Sequence, residues 1–132
     1  MRVVFDTNVV ISAVFFGGHP LRALETVVKG EIQAWATQKI IDEYESIIEE
    51  MIARQQGRLR KDIAELFINK IYKTESREDV HVCRDPDDDK FLSCAMNCRA
   101  LYVVSGDKDL LSIGKYEGIE IITAKELLAR IP

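Results

Sequence analysis

Residues 101–123, LYVVSGDKDLLSIGKYEGIEIIT, contain two runs rich in β-branched residues, 101-LYVVS-105 and 119-IEIIT-123, parted by a short helical turn near 108 to 113 and by Gly118. Two strands with a helical connection read as a parallel pair with a crossover, since a hairpin needs only a few turn residues between its strands. Upstream the rhythm repeats. Residues 2 to 6 (RVVFD) form a first strand, and 8-NVVISAVFF-16 is apolar enough to be either a buried helix or more strand. From Pro20 to Lys29 the spacing of Leu21, Leu24, Val27 and Val28 is helical, with Gly30 just past the end. Residues 31 to 36 (EIQAWA) alternate as a second strand.

Thr37 is placed to cap a helix running to about Gln56, with Ile40, Ile41, Tyr44, Ile47, Ile48 and Met51 on its apolar stripe. A further amphipathic helix is expected from about Asp62 to Tyr72. A third strand is expected at 79 to 83 (DVHVC), and a helix over 88 to 98, capped by Asp87, that buries Phe91, Leu92, Ala95 and Met96. A last helix runs from about Ala124 to Arg130. Alternating strands and helices imply a parallel sheet covered on both faces through right-handed crossovers. The expected fold is α/β, a three-layer α/β/α sandwich around a mainly parallel five-stranded sheet, with residues 1–132 forming one domain.

Composition agrees with one ordinary globular core: 132 residues, 47% hydrophobic and 30% charged. Three cysteines, Cys83, Cys94 and Cys98, are an odd number without paired C-x-x-C spacing, which disfavours a disulfide framework or a zinc finger and points to a reducing cytosol. Asp6 ends the opening apolar run before a signal-peptide core or membrane span can form, so an untargeted cytoplasmic chain is expected. Formal charge is −4, which at first sight argues against a polyanionic partner. The distribution argues the other way. Acids bunch in 85-DPDDD-89 and 107-DKD-109, while Arg54, Arg58, Arg60, Lys61, Lys70, Lys73 and Arg77 crowd the middle third, as a solvated surface or a face for RNA.

In an open parallel sheet the ligand site lies beyond the carboxyl ends of the strands. On the expected fold Asp6 ends strand one, Glu43 lies early in the helix after strand two, Asp89 lies in the first turn after strand three, and Asp107 follows strand four by two residues. Acids favour helix starts in any protein, but Asp6 directly ends a strand expected near the middle of the sheet. Carboxylates forced together raise one another's pKa unless a cation holds them ionised. Oxygen ligands without His or Cys at the same edge select Mg²⁺ or Mn²⁺ over Zn²⁺. Such ions support in-line phosphoryl displacement by water, so phosphodiester hydrolysis is the chemistry expected. Two dications would also offset the negative charge and leave the basic residues to meet a phosphate backbone.

The segments 6-DTNVVISA-13, 85-DPDDDKFLSCA-95 and 105-SGDKDLL-111, with Glu43 between the first two, resemble the PIN-domain ribonucleases, particularly the toxin components of prokaryotic toxin-antitoxin pairs. The resemblance runs in order over essentially the whole chain. It implies that Asp6, Glu43, Asp89 and Asp107 ligate Mg²⁺ or Mn²⁺ for RNA cleavage, and that Asn8 and Ser105 orient these acids through hydrogen bonds. It also implies a homodimer and a cognate antitoxin protein that blocks the site. Many toxins of the family carry Asn where Asp107 stands, so Asp109 competes for the fourth role; Asp85 is the reserve within the acidic run.

Other chemistries fit less well. The serines lack a nucleophile elbow, and no Gly-rich phosphate loop is present. A phosphatase using Asp6 as covalent nucleophile wants a second acid two residues on, where this chain has Asn8. A module that binds RNA without cutting it, or serves as a scaffold, is the non-enzymatic alternative. His19 and His81 have no catalytic partner in sequence and read as structural. Cys94 and Cys98, four apart on one helix face, read as core packing.

Overall fold

A computed structural model describes residues 1–54, 61–76 and 80–132. Six strands form one sheet in the order β3-β2-β1-β4-β6-β5. They are β1 (Arg2–Phe5), β2 (Gln33–Ala36), β3 (Tyr72–Lys73), β4 (Tyr102–Val104), β5 (Lys115–Tyr116) and β6 (Ile119–Ile122). All neighbours pair in parallel except β5, which returns antiparallel onto β6. The helices are α1 (Thr7–Phe16), α2 (Gly18–Val28), α3 (Gln38–Arg54), α4 (Lys61–Lys70), α5 (Asp89–Cys98), α6 (Lys108–Ile113) and α7 (Ala124–Arg130).

β1 lies at the centre because nothing in Val3, Val4 and Phe5 requires water; all three are fully buried. In register, Val3 sits opposite Ala34 of β2 and Tyr102 of β4. Chain order moves leftward through the sheet from β1 to β3 and rightward from β3 through β4 to β6. Right-handed crossovers therefore put α1 to α4 on one face and α5 and α6 on the other. α7 joins the first layer by packing on α2, and α5 packs across β1, β2 and β4. The three-layer sandwich expected from the sequence is the observed architecture.

α1 is helical, and its ambiguity has a physical cause. Val9, Val10, Ile11, Ala13 and Val14 are buried because the helix is packed against α2, α3 and α4 as well as roofing the sheet, so it lacks a polar face to set its period. It stops at Gly17 and Gly18, whose φ values of 74° and 66° turn the chain into α2 through the left-handed region. Thr37 caps α3 as expected, its hydroxyl accepting from the Ile40 amide at 3.2 Å. Cys94 and Cys98 are buried in the core.

The expected third strand differs. Residues 80–82 have no strand pairing, and Asp79 lies outside the described residues. The burial there does not alternate, with Val80 buried and His81 and Val82 both exposed, and the amides of Val82 and Cys83 are taken by the Asp89 carboxylate at 3.1 and 2.9 Å. Backbone donors satisfied by a side chain have no need of a neighbouring strand. The strand beside β2 is instead Tyr72–Lys73, where the Tyr72 ring stacks on Trp35 at 5.2 Å between centroids. With the short β5, the sheet has six strands rather than five.

Candidate active site

The strand order reverses between β1 and β4, and both strands end at the same edge. The Asp6 amide extends their ladder by donating to the Val104 carbonyl at 2.9 Å, and the Ser105 amide donates to the Ile122 carbonyl at 2.9 Å. Asp6 is extended, at φ −59° and ψ 139°, so it closes β1 and caps α1 in one residue. Its Oδ1 accepts from the Asn8 amide at 3.3 Å and its Oδ2 from the Ser105 hydroxyl at 2.8 Å. The same Ser105 oxygen accepts from the Asp107 amide at 3.0 Å. One fully buried hydroxyl thus ties the acid after β1 to the turn carrying the acid after β4.

Asp6 is 4% exposed. Burial raises its pKa above the ordinary carboxylate value, and the negative charges of Asp107 and Glu43 add to the rise, against the hydrogen bonds from Ser105 and Asn8. Glu43 arrives from α3. Its Oε2 accepts from the buried Thr7 hydroxyl and its Oε1 meets the Lys90 ammonium at 2.6 Å. Lys90 also holds Asp87 at 2.8 Å.

The acidic run 85–89 divides its work in a way the sequence reading did not foresee. Asp89, the residue expected at the site, is buried with Oδ1 bound to the two amides of 82 and 83. Asp88 feels other site acids. Burial and then the charges of Asp6, Asp85 and Asp107 push its pKa up to about 6, with Lys90 opposing. The offset arises because Pro86–Asp88 wind as a short 3-10 helix and the α-helix begins only at Asp89, so the phase inferred from an α-helix starting at 88 fails at the acids. Asp85, the reserve candidate, caps that turn by accepting from the Asp87 amide at 3.0 Å. Asp87, expected to cap, binds Lys90 instead. Asp109 lies 3.6 Å from Arg84 as a surface pair, whereas Asp107 acts electrostatically on both Asp6 and Asp88.

Ser105 orients Asp6 and the 107 turn, the role the resemblance implied. Asn8 serves Asp6 through its backbone amide rather than its side chain. Thr7 and Lys90 carry no role readable from sequence, although each directly follows an acid, Asp6 and Asp89. Among the basic residues, Arg58, Arg60 and Arg77 lie outside the described residues, and Arg54 pairs with Glu50 at 2.7 Å.

The donor set at this edge consists of carboxylate oxygens, and Lys90 offsets the charge of Glu43. Among the described residues, no group of three His, Cys, Asp or Glu side chains stands close enough to chelate one ion directly. That geometry still fits a hard dication of the Mg²⁺ kind, which uses one or two carboxylates and keeps several waters.

An α/β sandwich with acids where the strand order reverses defines a ligand site at the strand ends. The chain belongs to the PIN-domain family, which it matches over residues 2–109. Members of that family are generally nucleases that use divalent metals, so the chain is placed at that coarse level among the phosphodiester hydrolases. It is also 30% identical over 118 residues to the uncharacterized protein MJ1680 of Methanocaldococcus jannaschii, covering 86% of this chain and 75% of that protein. Among the described residues no helix is long and apolar enough to cross a membrane.

Proposed function

We propose that the protein is a Mg²⁺- or Mn²⁺-dependent endoribonuclease, acting as the toxin of a toxin-antitoxin pair in the cytoplasm. The observation that carries the reading is the Ser105 hydroxyl that joins buried Asp6 to the Asp107 turn where the strand order reverses, with the charges of Asp107 and Glu43 acting on Asp6 and those of Asp6 and Asp107 on Asp88. One or two carboxylates from Asp6, Asp88, Asp89 and Asp107, with Glu43 beside them, would hold the ion, and waters would complete its shell. When bound, it would activate water and stabilise the leaving oxygen of the RNA phosphodiester. Asp88 joins Asp89 as a candidate from the acidic run; Asp89 accepts from backbone amides through Oδ1.

The protein's own groups prepare the site. Ser105 fixes Asp6 and the Asp107 turn with one hydroxyl. Thr7 and Lys90 occupy the two oxygens of Glu43, which holds that carboxylate in place before substrate arrives. The homodimer and the antitoxin that covers the site are part of the same proposal and rest on the resemblance of the three motifs to toxin sequences.

The test is cleavage of single-stranded RNA with Mn²⁺ or with chelator. Wild-type protein should release fragments only with the metal, and Asp6→Asn should release none while its circular dichroism stays native. Full cleavage by the variant would overturn the assignment. Growth arrest on expression, absent for Asp6→Asn, is the outcome expected of a toxin, and unimpaired growth with active wild-type enzyme would remove that role.

A further inference from the structure

Beside the acid site lies an open cleft of about 400 Å³, walled by α1, the start of α2, the turn after β4 and the start of α7. Resting on the nuclease reading above, we propose that this cleft receives the nucleotide next to the scissile phosphodiester of single-stranded RNA, with Lys125 on its phosphate and His19 against its base.

Continuity comes first. Ser105 and Asp107 belong both to the acid site and to the cleft wall, so a chain bound across the acids has this space open to its next nucleotide. The volume lies within the range of small-ligand pockets, about 300–1,000 Å³. Its lining is mixed in the way a nucleotide requires. Val9, Pro20 and Ala124 give apolar surface, and Ser12, His19 and Thr123 give polar groups.

Charge is the second argument. The acid edge repels a polyanion, and Lys90 there is already committed to Glu43 and Asp87. On the cleft side, exposed Lys125 has no ion-pair partner among the described residues, and neither it nor His19 has a hydrogen-bond partner among them. Asn8 adds to this. Its backbone serves Asp6, while the exposed residue lines the cleft with its side chain unused among the described residues. Single-stranded RNA is held by such combinations of a phosphate contact and a base-stacking or hydrogen-bonding wall.

The experiment measures binding apart from cleavage. A fluorescein-labelled single-stranded ten-nucleotide RNA is titrated into Asp6→Asn protein at several salt concentrations, alone and combined with Lys125→Gln, Lys125→Glu or His19→Ala. Lys125→Gln should weaken binding and lower the slope of log affinity against log salt by about 0.7, the value for one phosphate contact on a single strand. Lys125→Glu should weaken it further and His19→Ala should weaken it without changing the slope, while Lys115→Gln, an exposed lysine on β5, should leave the slope unchanged. In protein with Asp6 intact, Lys125→Gln should raise KM and spare kcat. An unchanged slope and KM in both Lys125 variants, or no RNA binding at all, overturns the cleft assignment. If wild-type protein cuts RNA with KM insensitive to Lys125, the cleft alone fails; if it cuts nothing yet binds RNA with a Lys125-dependent slope, the cleft stands and the nuclease reading fails.

Discussion

Replacing Ser105 by alanine removes one hydroxyl and the two hydrogen bonds that align Asp6 with the Asp107 turn. Groups that orient metal-ligating carboxylates typically contribute about 10–100-fold to affinity or activity, and a loss of that size in Mn²⁺ affinity is expected by calorimetry, with little change in fold. Asp88→Asn gives a prediction with a sign. Its carboxyl has a folded pKa of about 6 against an ordinary 3.8, so the native state holds the proton more tightly than the unfolded chain. The resulting penalty is absent below about pH 3.8, grows as pH rises to about 6 and is full above it. In chelator, Asp88→Asn should therefore stabilise the protein at pH 7.5 by about 1 kcal/mol after solvent screening and leave it unchanged at pH 3.5. Equal denaturation midpoints for the two proteins at pH 7.5 would contradict the crowding of charge at this residue. Asp6 was legible in the sequence because an acid ending a central strand has no bland explanation. Asp88 was hidden because four acids in five positions look alike until the 3-10 turn separates their environments.

At the scale of elements, Phe67 of α4 is fully buried and meets Phe5 of β1 edge to face, with ring centroids 5.5 Å apart. The same ring lies 6.1 Å from Tyr44, whose hydroxyl donates to the Phe5 carbonyl. Phe67→Ala should cost about 3–5 kcal/mol in chemical denaturation, because a cavity opens where α3, α4 and the central strand meet. A cost below 1 kcal/mol would mean that α4 is not docked there. Helices with one polar face, such as α3 and α5, were readable from spacing. The expected strand at 79–83 was not, because alternating residue types do not say what the backbone amides meet, and for Val82 and Cys83 that partner is Asp89. Strands of two residues, such as β3 and β5, carry too little pattern to be seen at all.

For the molecule as a whole, the formal charge of −4 concentrates its cost at one edge, where a dication would relieve it. A ligand that binds only the folded state raises stability by RT ln(1 + [L]/Kd), so millimolar Mn²⁺ should raise the melting temperature of wild-type protein and have less effect on Asp6→Asn. An equal rise in both would place the ion elsewhere. The order of acids along the chain was readable because parallel topology sends every strand end to the same side; the three-dimensional company each acid keeps required the packed structure.

The sheet is bordered on both flanks by strands of only two residues, Tyr72–Lys73 on one side and Lys115–Tyr116 on the other, each carrying a lysine. Truncated, cationic margins offer a poor template for another polypeptide to extend the ladder. Edge-to-edge growth of the sheet is disfavoured at both margins, which guards the folded chain against fibril growth.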